Sequence, residues 1–292
     1  MNKYSKKSKQ LRVAGAFSEA AASYNAAAVL QQEIGRRLIE RLNFVKINVK
    51  TAMDLGASTG YFTQQLGQCY GDARVIAVDI AEGMLRYMAR EGGNLPGPYL
   101  VCADAQYLPF ESKTVDLVFS NLMLQWCPDT LAVFKEVQRV LKPGGLFIFS
   151  TLGPDTLYEL RQSWVQVDAY QHVNAFIDMH DLGDGLLASG LRGPVVDMEY
   201  MTVTYSKVDG LLHDLRDLGA NQVIVDQRMP GLLGRGRYQA FVQAYENFRD
   251  AEGVLPATYE VIYGHAWGSP EEDLIVKEAS IFVKDIKVKR QF

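Results

Sequence analysis

Between Val49 and Thr151 short apolar runs and amphipathic stretches alternate five times, and this alternation constrains the chain more than any other feature. The runs are "VKTAMDLG", "ARVIAVDI", "PYLVCAD", "TVDLVFSN" and "GGLFIFST". Between them the spacing predicts helices near Thr59 to Cys69, Ala81 to Arg90 and Asp129 to Leu141. Strands that are apolar on both faces are covered on both faces, and parallel neighbours need long crossovers. The expected fold class is therefore α/β, with a doubly wound, mostly parallel sheet.

The pattern changes after Ser150. Helical material is expected from about Asp155 to Ser189, then a long strand "VVDMEYMTVTYS". Helices near Val208 to Leu218 and Tyr238 to Ala251 precede a last strand, "ATYEVIYGHAW", which brings the sheet to seven strands. At the other end, Val13 to Leu42 contains no proline, and Phe17, Ala20, Ala21, Tyr24, Ala28 and Gln31 recur at helical spacing. Three parts follow: an N-terminal helical arm over 1–43, a main domain over 44–268, and a charged tail over 269–292. The helical insertion at 206–253, between the last two strands, is expected to lie over the binding edge of the sheet as a lid.

The 292 residues carry a formal net charge of -4, which provides no global field for nucleic acid. No apolar run is long enough to span a membrane, and the basic start leads into no apolar signal core, so a cytoplasmic protein is the simplest expectation. Cys69, Cys102 and Cys127 lack metal-ligand spacing and are expected to be packing thiols, with no metal. The sequence does not specify an oligomeric state.

Ligands of doubly wound sheets sit beyond the carboxyl ends of the strands. The first such end reads "DLGASTG", Asp54 to Gly60. Gly56 and Gly60 are four apart, with Ala57, Ser58 and Thr59 between them, so the dinucleotide pattern G-x-G-x-x-G does not fit. The loop is closer to the D-x-G-x-G-x-G type used for S-adenosyl-L-methionine, with Ser58 in place of the middle glycine. Asp79 ends the second strand, where a carboxylate can accept both ribose hydroxyls. Asp104 and Ala105 follow the third strand near an expected adenine amino group, with Ile80 and Met84 placed to pack on the ring. Asn121 to Gln125 follow the fourth strand.

"DLGASTGYF", "VDIAEGML", "ADAQYLPF" and "VLKPGGLFIFST" resemble the signature of class I methyltransferases, which have a Rossmann-like fold. "AFSEAAASYNAAAVLQ", "GPDTLYELRQSW", "HVNAFIDMHDLGDGLL" and "LPATYEVIYGHAWG" are similar to the malonyl-acyl carrier protein O-methyltransferases of biotin synthesis. The resemblance runs from Val13 to Gly268. It implies methyl transfer from S-adenosylmethionine to the free carboxylate of malonyl-acyl carrier protein. Ser58 departs from the superfamily loop and is expected to alter the cofactor contact, because serine tolerates positive φ poorly.

A malonyl carboxylate is already ionised near neutral pH, so the implied chemistry asks for orientation rather than a general base. Tyr24 and Trp126 are the candidates for closing the site around the methyl group, and Arg161 for anchoring the carboxylate. Arg228, Arg235 and Arg237 are the expected docking patch for an acidic carrier. Two other functions stay open at this point. One is a methyltransferase-like hydroxylase or assembly factor, since such proteins share a segment like "DTLYELR". The other is a noncatalytic cofactor-binding partner, for which Ser58 is the main argument.

Overall fold

The computed structural model describes residues 3–91, 97–223 and 234–270, with side chains from residue 10 onward. The arm comprises α1 (Lys3–Ala20), the single turn α2 (Tyr24–Ala27) and α3 (Val29–Leu42). It breaks at 21–23, where the Ser23 hydroxyl donates to the carbonyls of Ala20 and Asp217 instead of facing solvent. The alternating region then gives β1 (Thr51–Leu55), α4 (Tyr61–Cys69), β2 (Arg74–Asp79), α5 (Glu82–Glu91), β3 (Tyr99–Cys102), β4 (Val115–Asn121), α6 (Thr130–Val140) and β5 (Leu141–Leu152). The helical material expected from about Asp155 to Ser189 is two helices, α7 (Tyr158–Val165) and α8 (Met179–Ala188). Between them the Asp168 carboxylate accepts from the Tyr170 amide and bonds His172, and His172 stacks on Trp164 at 3.8 Å, so the chain folds back. The remainder is β6 (Arg192–Tyr205), α9 (Val208–Asp217), α10 (Arg235–Glu246) and β7 (Leu255–Trp267).

The strands form one seven-stranded sheet in the order β3-β2-β1-β4-β5-β7-β6. β1 to β5 are parallel, whereas β7 runs antiparallel to both β5 and β6. Strand order reverses between β1 and β4, and the crevice at that point is where a doubly wound sheet accepts a ligand. Apolar clusters fill both faces. One joins Ile34, Leu38, Phe62 and Phe119, and the other joins Met53, Val118, Phe134 and Phe149.

Two features fix the geometry around β1. A Cβ at Gly35 would lie 2.1 Å from the Phe62 ring, so glycine there lets α3 close onto the start of α4. Asp54, 2% exposed, accepts from the Thr63 hydroxyl at 2.6 Å and so ties the end of β1 to α4. Burial is the main cause that pushes the Asp54 carboxyl up from 3.8 to about 7. The Thr63 hydrogen bonds oppose this, and the Asp79 charge adds to it.

Gly35→Ala should destabilise the chain by roughly 1–3 kcal/mol in chemical denaturation, despite the better helix propensity of alanine, because packed cores tolerate extra volume poorly. A raised carboxyl pKa means that the folded state holds its proton more tightly than the unfolded chain. This contribution is fully present below pH 3.8 and is lost as pH rises through about 7. Asp54→Asn lacks that titration. The stability of the parent relative to this variant should therefore fall across that window in paired urea titrations.

Candidate functional site

The loop after β1 turns sharply under β4. Gly56 has φ 85° and sits so close to Met123 that a Cβ would lie 2.5 Å from that side chain, so both the conformation and the space require glycine. Gly60, φ 88°, caps α4. Ser58 adopts φ 50°, a left-handed conformation that costs a non-glycine residue about 1–2 kcal/mol. Its amide donates to Asp79 Oδ2 at 2.8 Å, which holds it there. The departure from glycine is thus accommodated by a charge-assisted hydrogen bond within the loop.

Asp79 organises the neighbouring strand end as well. Its Oδ1 accepts from the Ala81 amide at 2.7 Å, so one carboxylate joins the β1 loop to the start of α5. Each oxygen retains a further lone pair for a hydroxyl donor. Burial raises its pKa, and the backbone hydrogen bonds from Ala81, Ser58 and Ile80 hold against that rise. Asp104 accepts from the Gln106 amide at 2.9 Å and, across the crevice, from Gln10 Nε2 on α1 at 2.9 Å. The arm therefore lies directly over this strand end. A second strap is the Gly83 amide, which donates to Ser18 Oγ on α1 at 3.1 Å.

Three adjoining cavities occupy the edge. The first is bounded by Asp79, Ile80, Met84, Asp104 and Ala105, with Phe17 of the arm above, and the loop residues Gly56 and Ser58 also line it. A smaller one continues past Gly56, Ser58 and Asn121 to Asn25 and Asp54, with Ala57 in its wall. The largest, about 390 Å³, lies on the other side under α7 and α9. Phe17, Tyr24, Leu122 and Trp126 face both the first and the largest cavity, and of the described residues only Tyr24 lines all three. Phe17 meets Trp126 edge-on at 5.2 Å and completes this aromatic partition. Burial of the Tyr24 hydroxyl is the leading cause that pushes its pKa up to about 12, so it is a hydrogen-bond donor at neutral pH rather than a base. Leu122 and Leu157, both lining the largest cavity, also hold left-handed φ of 51° and 54°. Three of the four described non-glycine residues with left-handed φ, all but Lys113, thus line these cavities.

The candidate residues distribute unevenly. Asp79, Ile80, Met84, Asp104, Ala105, Asn121, Tyr24 and Trp126 come together as expected. Gln125 faces the largest cavity instead, donating to the Leu122 carbonyl and accepting from Thr151. Gly60 lines none of the three cavities and shapes the loop. Arg161 stands apart from the others. Its Nη2 donates to the carbonyls of Pro154 and Thr156, both at 2.7 Å, and it lines none of these cavities because it is bound to the turn before its own helix. Cys127 faces the first cavity with its thiol pushed up to about 12 by burial. Cys69 and Cys102 are exposed rather than packed. Phe17, Gln31 and Met123 escaped the sequence reading as site residues. The spacing of Phe17, Tyr24 and Gln31 on one arm face was the available signal, and Met123 falls within the stretch after the fourth strand.

A family model described as a methyltransferase domain matches residues 53–149. The fold is similar to the YcgJ protein of Bacillus subtilis, with TM-score 0.54 and 16% identity over 80% of this chain and 99% of that one. It is also similar to a Haemonchus contortus phosphoethanolamine N-methyltransferase 2 in complex with S-adenosyl-L-methionine, with TM-score 0.51 and 18% identity over 86% of this chain and 57% of that one. Sequence similarity reaches further. A malonyl-[acyl-carrier protein] O-methyltransferase of Gallionella capsiferriformans is 45% identical over 94% of this chain and 96% of its own length. One from Methylovorus is 46% identical over 88% of each. With identity at this level over most of both chains, this chain belongs to the malonyl-[acyl-carrier protein] O-methyltransferase family.

Proposed function

We propose that this chain methylates the free carboxylate of a malonyl group presented by acyl carrier protein, and that the first and smaller cavities hold S-adenosylmethionine. The observation that carries this reading is the meeting of those cavities with the large one at Tyr24. The lining suits the cofactor: Asp79 for the ribose, Asp104 with Ile80 and Met84 for the adenine, and the loop from Gly56 to Ser58 for the methionine end. When bound, S-adenosylmethionine supplies a methyl group on a cationic sulfur.

The chain's own contribution is placement and exclusion of water. The carboxylate is the nucleophile as it stands, so no side chain has to remove a proton. Tyr24, Phe17 and Trp126 stand together between the two cavities, which favours a restrained, in-line approach. The charges of carboxylate and sulfonium disappear together as the new bond forms. An enclosure of aromatic rings therefore favours the transition state over the separated ions. The product is a methyl ester and a neutral thioether. Masking the carboxyl in this way makes the acyl group resemble an ordinary fatty-acid primer, which is the use the family makes of it in biotin synthesis.

Methyl-labelled cofactor and malonyl carrier protein should give a carrier-bound, base-labile label, and acetyl carrier protein should give none. A labelled product that survives base would reject carboxyl transfer. Asp79→Ala should weaken cofactor binding at least roughly tenfold in calorimetry, since charge-assisted hydrogen bonds contribute about 1.5–3 kcal/mol each.

A further inference from the structure

The large cavity differs chemically at its two ends. Tyr24, Gln31, Gln125 and Trp126 line the end beside the other cavities, and Gln31 Oε1 is buried without a hydrogen-bond partner there. Apolar walls follow, from Leu30, Leu152 and Leu160 among others. Asn221 and Arg216 form an exposed rim, beside the partly buried Tyr238. Of the described residues lining this cavity, Arg216 is the only arginine or lysine.

The position of Arg216 is defined by its neighbours. Asp209, Leu212 and Arg216 fall on one face of α9. The Tyr238 hydroxyl donates to Asp209, and the charge of Arg216 acts on the same tyrosine. The guanidinium therefore stands beside the first turn of α10, where Arg235 and Arg237 are exposed. This cationic corner is solvent-facing. A carboxylate about to receive a methyl group belongs at the enclosed end, beside Tyr24 and Gln31.

We infer that Arg216 binds the phosphodiester of the phosphopantetheine arm that carries the malonyl group, and not the malonyl carboxylate. The inference rests on the proposed methyl transfer. A carrier protein is too large to enter, so the arm alone threads the cavity. The arm's single anion, the phosphodiester, then comes to rest at the rim, and its thioester reaches the aromatic partition. An arginine fork suits phosphate oxygens, and an exposed site keeps the contact reversible between turnovers. At the inner end the neutral amides can hold the carboxylate without neutralising its charge. In this arrangement one cavity reads both the acyl group and its carrier.

The test compares two small substrates, malonyl-phosphopantetheine and malonyl-pantetheine, which differ only in the phosphate. The parent should prefer the phosphorylated substrate by roughly five- to tenfold in kcat/KM, expressed in KM, as expected for one partly screened charge contact. Arg216→Gln should bring the ratio toward one, Arg216→Lys should restore most of it, and added salt should erode it. Loss with both substrates alike, or a loss confined to kcat, would overturn the inference and move Arg216 to the reacting end. Calorimetric titration with phosphopantetheine and pantetheine, without turnover, reads the same contact. Parent protein that binds both equally would also overturn it. If the parent forms no methyl ester from malonyl carrier protein, the proposed transfer fails, and the calorimetric ratio then judges the phosphate contact by itself.

Discussion

The carboxylate of Asp79 is the interaction on which the rest of the site depends. It stands at the end of β2 and accepts from Ser58 on one side and Ala81 on the other, so two successive loops share one anion. Without it, the left-handed Ser58 would lose the backbone hydrogen bond that holds its amide at φ 50°. The loop conformation in turn sets where Gly56 passes Met123, and Met123 leads into the short turn that carries Trp126. Loop geometry and the place of the aromatic partition are thus tied to one carboxylate, whose two oxygens are held by backbone amides.

The arm completes what the sheet begins. A crevice at a topological switch point is open on its outer side, which suits cofactor exchange but not a reaction in which two charges vanish. α1 covers it through small-residue contact with α5, where Gly83 meets Ser18, and through the Gln10 bond to Asp104. The break at 21–23 turns the chain so that Tyr24 drops into the partition. Gly219, φ 70°, then packs against Ala16 and Phe17, which brings the end of α9 onto the arm. α9, part of the insertion expected to act as a lid, packs against both the arm and β6. Of the insertion's proposed basic patch, Arg228 lies outside the described residues.

Much of this was legible in the sequence because it rests on period and position. Continuous apolar runs gave the five parallel strands, and the polar residues that end them gave Asp79, Asp104 and Asn121 as neighbours. The antiparallel placement of β7 between β5 and β6 was not legible, since a strand's apolar pattern does not record its direction. The break between α7 and α8 depends on a three-part contact of Trp164, Asp168 and His172 that helical propensity does not register. Ser58 was recognised as unusual, but the amide bond that resolves it joins residues 21 apart.

Arg161 and Arg216 show where residue chemistry alone misleads. Both carry the planar fork that suits carboxylates, and sequence motifs drew attention to the first. The difference between them lies in unsatisfied carbonyls. The turn from Gly153 to Leu157, entering α7 through a left-handed Leu157, exposes the Pro154 and Thr156 carbonyls, and Arg161 satisfies them. An arginine used in this way stabilises the cavity wall through Nη2. On the proposed function the reacting end is the one lined by Gln31, Gln125 and Tyr24, all neutral at physiological pH. That choice follows from the chemistry. A bidentate guanidinium would hold both oxygens of the carboxylate and lower the electron density on the nucleophile. Neutral donors can orient one oxygen and leave the other free to attack.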